Sequence, residues 1–186
     1  PEDNPADKTF IQKHMLNDPT IQALSYPRRK GPRPQTHAEQ FIKHLQASLL
    51  SVIICLRPTT EETTEPVPIG TLTLSNPWGP DASHHLHATL GTSLAEKYRG
   101  QGYGGEAINW ALDWAFLHAG LHRVGLTAFG FNDGAAKLYR KLGFVEEGRE
   151  REVMWHSRGW WDVIHFGILE GEWEVLRGLK EKSDGK

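Results

Sequence analysis

The segment 98–106, with the sequence Tyr-Arg-Gly-Gln-Gly-Tyr-Gly-Gly-Glu, holds four glycines in nine residues. It lies between a predicted strand and the longest predicted helix. Unpaired amides at a helix N-terminus attract anions, and glycine lets the backbone approach a phosphate without interference from a Cβ atom. The segment therefore predicts a phosphate-binding loop.

One known pattern that fits these glycines is the dinucleotide fingerprint. Gly100, Gly102 and Gly105 satisfy the spacing G-x-G-x-x-G. The context argues against it, because residues 96–99 separate the strand from the first glycine, whereas in that fold the turn leaves the buried strand directly. The next predicted strand, 124–129, also ends without the acidic residue that binds the ribose. A nicotinamide- or flavin-dependent oxidoreductase is therefore a disfavoured alternative.

A second pattern fits the same glycines and has a companion downstream. Residues 99–104 read R-x-x-G-x-G, and residues 132–144 read N-x-x-A-x-x-L-Y-x-x-x-G-F. Together these segments resemble the acyl-CoA-binding segments of the GNAT superfamily of N-acetyltransferases. The resemblance extends from about Ile69 to Trp173, and residues 120–124 and 143–148 are similar to its ribosomal-protein N-acetyltransferase-like (RimJ/RimL-type) branch. The family's first strand has no clear counterpart before Phe10.

The resemblance implies a GNAT-like α/β fold, with a mixed, splayed central sheet and helices on both faces, and it implies acetyl-CoA as co-substrate. It also implies that the amides of the glycine loop cradle the pyrophosphate, that Arg99 adds charge near it, and that amides near Leu94 stabilise the oxyanion. The implied cofactor-binding residues are Leu94, Arg99, Gln101, Gly102, Tyr103, Gly104, Gly105, Asn132 and Tyr139. No metal is expected, since no cysteine or carboxylate pair accompanies the histidines of segment 84–87.

Asn132 and Tyr139 are seven residues apart, two helical turns, so they face the same way. The resemblance implies that Asn132 contacts the pantetheine arm and that Tyr139 protonates the departing CoA thiolate. The residues by themselves also allow a structural interpretation, in which Asn132 caps the helix and Tyr139 is a core aromatic residue.

The general base is harder to identify. Many relatives have a glutamate on the strand before the loop, where this chain has Thr89, whose hydroxyl is no base at neutral pH. His85 and His87 share the face of Thr89 if residues 84–94 form one strand, and an imidazole with a pKa near 6.5 suits the task. His87 is therefore the predicted base, with an exposed strand start as the alternative. Deprotonating a lysine-like amine at pH 7 costs about 4–5 kcal/mol, against about 1–1.5 kcal/mol for an α-amine, so a weak base mildly favours an α-amine or a small amine.

Trp155, Trp160 and Trp161 cluster on a predicted hairpin, with Asp162 beside them. In the family this hairpin borders the acceptor site, so the resemblance implies that Trp155 and Trp161 shape a pocket and that Asp162 holds a cationic amine. Packing or a dimer contact explains the tryptophans equally well. The predicted partner is a small-molecule amine or a protein N-terminus, and both a monomer and a homodimer are compatible with the sequence.

The elements that position these residues alternate between helix and strand. Hydrophobic periodicity predicts helices at 10–16, 36–49, 104–119, 133–142 and 170–179, and strands at 52–56, 68–74, 84–94, 124–129, 144–154 and 161–169. This alternation favours an α/β sandwich. Cys55, in an apolar run, is predicted to lie in the core, and Trp110 and Trp114 are predicted packing residues.

Composition bounds the remaining possibilities. The 186 residues are 38% hydrophobic, which predicts one folded domain over 1–186 with flexible ends at 1–9 and 180–186. With 21 basic and 23 acidic residues, neither a nucleic-acid partner nor a membrane is expected. One cysteine and no signal-peptide pattern favour a cytoplasmic protein. The predicted function is direct acetyl transfer from acetyl-CoA to a primary amine in a ternary complex. The alternative is a non-catalytic acyl-CoA-binding module that has the loop and lacks the base.

Overall fold

The computed structural model describes residues 4–25, 29–57 and 65–181. Its helices are α1 (Pro5–Phe10), which continues as a π-helical segment (Ile11–Leu16), α2 (Pro19–Ser25), α3 (Gln35–Gln46), α4 (Tyr103–Leu117), α5 (Asp133–Lys141) and α6 (Glu170–Leu176). Its strands are β1 (Leu50–Leu56), β2 (Val67–Ser75), β3 (His87–Leu94), β4 (Arg123–Phe129), β5 (Val145–His156) and β6 (Gly159–Leu169). Two short 3₁₀ segments, Pro80–His85 and Glu96–Tyr98, flank β3.

The strands form one six-stranded mixed sheet in the order β1-β2-β3-β4-β6-β5. Strand β3 pairs with β4 in parallel, whereas β1 with β2, β4 with β6 and β5 with β6 pair antiparallel. The parallel pairing comprises three residue pairs and ends at Thr89 and Gly125, although both strands continue. The predicted GNAT-like α/β class is confirmed.

The chain forms two compact units, and β3 and α4 each contribute residues to both. The first unit comprises residues 1–75 and 90–108. Asn4 begins its first helix, because the Asn4 side chain accepts a hydrogen bond of 2.9 Å from the amide of Ala6 and Pro5 occupies the first turn. Its helical core consists of Phe10, Ile11, Met15, Leu16, Ile21, Ala38, Ile42 and Leu45.

The second unit comprises residues 76–89 and 109–186, and the two faces of its sheet differ in character. Strands β4 and β6 bury one face made of alternate apolar residues: Val124, Leu126, Ala128, Ile164, Phe166 and Ile168. The other face carries polar side chains and glycines, with Phe129, Val163 and Leu169 at the two ends of the β4–β6 pairing: His87, Thr89, Arg123, Gly125, Thr127, His165 and Gly167. The alternation thus separates a packing face from a polar face.

Several local predictions are wrong. Residues 84–86 do not belong to the predicted strand 84–94: His84 and His85 lie in a 3₁₀ segment, and Leu86 is left-handed with φ 50°. His85 therefore does not share a strand face with Thr89. Cys55 is exposed rather than part of the core, because β1 lies at the edge of the sheet.

Three further predictions, at element ends and surfaces, differ from the structure. Trp110, predicted to pack, is 49% exposed. The helix predicted at 36–49 ends at Gln46, and Leu49 is exposed. Of the ends predicted to be flexible, 1–3 and 182–186 lie outside the described residues, whereas Pro5–Phe10 forms α1.

Candidate active site

The glycine loop of the first unit is held by side chains that bond to its own backbone. Arg99 donates its Nε hydrogen to the carbonyl oxygen of Leu94 at 2.9 Å, and Gln101 donates from Nε2 to the carbonyl oxygen of Lys97 at 2.8 Å. Gly100 has φ 71° and Gly102 has φ 92°, values that other residues rarely adopt. The sequence needs glycine at these two positions for the backbone to turn.

The same loop presents amide groups at the start of α4. The amide of Glu106 makes the first helical bond, to the carbonyl oxygen of Gly102 at 3.1 Å, so the amides of Tyr103, Gly104 and Gly105 precede it. Nothing lies within 4 Å of a Cβ atom built on Gly100 or Gly102. Open space and amides at a helix N-terminus fit a phosphate group, so the residues suit the pyrophosphate of a CoA thioester.

Tyr139 and Asn132 belong to the second unit and to the same helix, α5. Asn132 caps it, since its Oδ1 accepts a hydrogen bond from the amide of Ala135 at 3.3 Å. The Tyr139 ring is 9% exposed and packs edge-to-face on Phe166 at 5.7 Å between centroids. Burial raises the pKa of the Tyr139 hydroxyl to about 12. The hydroxyl is therefore protonated at neutral pH and can serve as an acid.

His87 begins β3 on the polar face of the second unit. The edge of its ring faces Trp78 at 5.3 Å, and Trp78 makes a similar contact with His85 at 5.1 Å. Partial burial first, and then the positive charge of Arg123, lower the pKa of His87 below its ordinary value. His87 and Thr89 share a strand face, as predicted.

Sequence analysis missed two residues that stand beside His87. Arg123 and Glu147 form a doubly hydrogen-bonded ion pair, Nη1 with Oε1 and Nη2 with Oε2. Each residue lies in a segment that resembles the family, but they are 24 residues apart. Only the strand register could have shown that they meet.

The predicted acceptor residues lie together on the β5–β6 hairpin. Trp155 is 59% exposed and Trp161 39% exposed. Trp161 donates its ring hydrogen to the carbonyl oxygen of His156 at 3.2 Å. Asp162 already has partners, because Oδ1 accepts from the amide of Glu152 at 3.1 Å and Oδ2 lies 3.7 Å from Arg149. Tryptophan surface is thus available, whereas the carboxylate of Asp162 is engaged.

The structure distributes the predicted residues in a definite way. The predicted residues from Leu94 to Gly105 belong to the first unit, and His87, Asn132, Tyr139, Trp155, Trp161 and Asp162 belong to the second. Within the second unit, Tyr139 packs on the apolar face, through Phe166, whereas His87 lies on the polar face.

Residues 4–25, 29–57 and 65–181 contain neither a metal-binding cluster nor a membrane-spanning helix. No group of three or more His, Cys, Asp and Glu side chains there is arranged to hold a metal ion. Within the same residues, none of the helices has the length and apolar character needed to span a bilayer.

Comparison with known proteins places these features in a family. The family described as "Acetyltransferase (GNAT) domain" matches residues 3–145. The chain is 35% identical over 94 residues to the SPbeta prophage-derived uncharacterized N-acetyltransferase YokL of Bacillus subtilis (50% of this chain, 53% of that protein). It is 33% identical over 89 residues to the spermidine N(1)-acetyltransferase of Vibrio cholerae (48% and 51%). The matched region spans about half the length of these curated relatives.

Solved structures agree on the fold. A spermidine N-acetyltransferase from Vibrio cholerae, solved in complex with CoA and spermine, superposes with a TM-score of 0.72 and 22% identity, covering 91% of this chain and 94% of the other. At this identity the likeness concerns the fold alone. Together with the family match over most of the chain, it defines the class: the chain belongs to the GNAT acetyltransferase family. The family prediction is confirmed, and membership of the ribosomal-protein branch stays a prediction.

Proposed function

We propose that this protein is an acetyl-CoA-dependent N-acetyltransferase that acts on a primary amine. The observation that carries the proposal is the glycine loop, where Gly100 and Gly102 have positive φ and the amides of 103–105 precede the first helical bond of α4. Family membership supports the assignment of these amides to the pyrophosphate of acetyl-CoA.

We assign the proton transfers of the reaction to the second unit. Tyr139 and His87 approach the sheet from opposite faces, so a thioester can meet both only past the last β3–β4 pair, Thr89–Gly125. His87 takes a proton from the acceptor ammonium. The amine nitrogen then attacks the acetyl carbon, and the carbon–sulfur bond breaks.

Tyr139 completes the reaction by donating its hydroxyl proton to the CoA thiolate. Its phenolate takes up the proton that the new amide nitrogen releases. The Tyr139 hydroxyl is protonated at neutral pH, so its proton is present before each turnover, and its raised pKa, about 12, makes the phenolate a strong base for the amide proton. Amides near Leu94 are assigned to the developing oxyanion, and Asn132 to the pantetheine arm. No covalent bond to the protein is formed.

Two similarities suggest which amines are candidate acceptors. One matched relative is named a spermidine N(1)-acetyltransferase, which places polyamines first among candidate amines. The resemblance to the ribosomal-protein branch adds peptides with a free N-terminus. The exposed rings of Trp155 and Trp161 are proposed to border the acceptor.

The test is acetyl transfer from acetyl-CoA to pools of polyamines, N-terminal peptides and amino sugars. The acetylated product should be detected by mass spectrometry, because Cys55 is exposed and would itself react with a thiol reagent that reports CoA. The matched control is Cys55→Ser, which should behave as wild type. Acetyl-CoA binding should be measured calorimetrically on the same sample.

Each outcome separates the candidate functions. An acetylated product in one pool supports the enzyme and begins to identify its acceptor. Binding of acetyl-CoA without product in any pool contradicts the enzyme and favours the non-catalytic acyl-CoA-binding module, for which Thr89 in place of glutamate is the supporting observation. Absence of binding would overturn the assignment of the loop.

A further inference from the structure

Two glycines on the polar face of the second unit lie opposite each other in the sheet. Gly125 in β4 pairs with Gly167 in β6. A Cβ atom at Gly167 would lie 2.5 Å from Glu147 Oε1 and 2.7 Å from Arg123 Nη2. At Gly125 it would lie 3.2 Å from His87 Nε2 and 3.5 Å from Arg123 Nη2. Three polar side chains therefore lie flat against a strip of sheet that has no side chains of its own, which we call the glycine floor.

Two of these side chains, Arg123 and Glu147, are charged. Their double hydrogen bond raises the pKa of Arg123 and lowers the pKa of Glu147. The side chains are 26% and 37% exposed, so the pair lies partly out of water. Its geometry is bidentate, the arrangement that fixes a guanidinium most firmly.

The third side chain, His87, is fixed by its backbone as well. Its neighbour Leu86 is left-handed, and the carbonyl oxygen of Leu86 accepts from the amides of both His122 and Arg123, at 2.8 and 3.2 Å. These two hydrogen bonds place the start of β3 beside the start of β4, and His87 pairs with Arg123 in the strand register.

The charged groups that face His87 come from three elements. Arg123 on β4 and His85 in the 3₁₀ segment oppose protonation of the imidazole, whereas Glu147 on β5 favours it. The charge of Glu172 helps to raise the pKa of Arg123, and that of His165 helps to lower the pKa of Glu147. The partial burial of His87 acts in the same direction as Arg123.

We infer that Arg123 and Glu147 are a positioning pair, which holds His87 over Gly125 as a neutral imidazole able to take the proton of the acceptor amine. The inference rests on the proposed function only for the role of His87 as base. Arg123 by itself opposes protonation of His87 and so makes its imidazole a weaker base. Glu147 moderates this effect, because its charge has the opposite sign and lies at the same place.

The two members of the pair should therefore act on His87 in opposite directions. In Arg123→Gln the positive charge is lost and Glu147 remains, so the pKa of His87 should rise. In Glu147→Gln the negative charge is lost and Arg123 remains, so the pKa should fall. An ion pair that lies away from His87 would give no such opposition, and the pH dependence of turnover then decides whether the effect reaches the reaction.

The first arm of the test is an NMR titration of the His87 ring proton, assigned with His87→Gln, and needs no activity. The matched control is Arg177→Gln, since Arg177 forms an ion pair with Asp113 at 2.8 Å with side chains 29% and 42% exposed, and that pair does not face His87. The pKa of His87 should rise in Arg123→Gln, fall in Glu147→Gln and stay unchanged in Arg177→Gln. Shifts in the same direction, or none, would overturn the inference. If Arg123→Gln does not fold, Arg123→Met, which also removes the charge and keeps a long side chain, takes its place.

The second arm measures kcat/KM against pH with the amine that the pooled assay identifies as acceptor. The pH below which kcat/KM falls should move in the same direction as the pKa of His87, and kcat/KM at pH 6 should change by about threefold. A pKa of His87 that shifts while the pH dependence of kcat/KM stays unchanged would overturn the role of His87 as base and leave acetyl transfer intact. If the protein transfers no acetyl group, the proposed function fails while the NMR arm still decides whether the pair positions His87.

Discussion

Glycine serves two different purposes in two regions of this protein. In the loop before α4, Gly102 has φ 92° and nothing lies within 4 Å of its missing Cβ. On the polar face of the second unit, Gly167 has no left-handed φ, but a Cβ there would meet Glu147 Oε1 at 2.5 Å. The loop needs glycine for its backbone conformation, and the glycine floor needs it for space.

The comparison separates two parts of the proposed reaction. The loop offers backbone amides, which bind an anion and do no proton transfer. The polar face offers side chains whose protonation can change, and it offers few amides because the sheet uses them. We therefore expect changes in the loop to alter acetyl-CoA affinity, and changes in the second unit to alter turnover.

The largest effect is expected from Tyr139→Phe. Removal of the hydroxyl leaves the ring packed on Phe166 but removes the proposed proton donor, so kcat should fall by about 10²-fold or more. Steady-state kinetics and calorimetry check this, with an unchanged acetyl-CoA affinity as the internal control. A kcat within a few fold of wild type would show that the thiolate leaves without this acid.

The next effect is expected from Gly102→Ala. An alanine at φ 92° costs about 1–2 kcal/mol, which we expect the free loop to relieve by leaving this conformation. Re-forming it should weaken acetyl-CoA binding roughly 5–30-fold while kcat at saturation stays close to wild type. Gly171→Ala is the control, because Gly171 has no left-handed φ and nothing lies within 4 Å of its Cβ position. Equal affinity of the two variants would contradict the assignment of the loop.

Gly167→Ala tests the glycine floor. Its Cβ would push on the Arg123–Glu147 pair, and because the ends of long side chains can move, the free energy of unfolding should fall by only about 1 kcal/mol. Gly148→Ala, with open space at its Cβ, should be close to neutral in the same denaturant titration. Indistinguishable stabilities would show that the floor tolerates a methyl group.

The smallest effect concerns an ion pair away from the floor. Hydrogen bonds from Arg149 and Arg140 lower the pKa of Glu146 to about 2. Such a carboxylate stabilises the folded state above its unfolded pKa, near 4.5, and the stabilisation is lost as the pH falls towards 2. Glu146→Gln should therefore lower the stability at pH 7, where the stabilisation is fully present, change little near pH 2, and so flatten the fall in stability between pH 5 and 2. An unchanged acid slope in thermal melts would contradict this.

The sequence predicted features that depend on local spacing. The helix ending at Gly120, the turn before Gly159 and the glycine loop all follow from short-range patterns, and the structure has α4, the β5–β6 hairpin and the loop at those places. The resemblance of residues 132–144 likewise predicted α5 with Asn132 at its start.

Features that depend on distant contacts were not predictable. Residues 84–86 were predicted to begin a strand, but Leu86 is left-handed where its carbonyl oxygen accepts from the amides of His122 and Arg123. Cys55 was placed in the core because an apolar run does not tell an edge strand from a central one. The Arg123–Glu147 pair depends on the register of three strands, which spacing does not specify.

The most direct test of the account measures acetyl-CoA affinity and turnover together in two variants, Gly102→Ala and Tyr139→Phe. We predict opposite effects: Gly102→Ala lowers the affinity for acetyl-CoA and keeps kcat, whereas Tyr139→Phe keeps that affinity and lowers kcat. If Tyr139→Phe lost affinity and kept kcat, or if both variants lost the same quantity, the division between a binding loop and a catalytic second unit would be wrong.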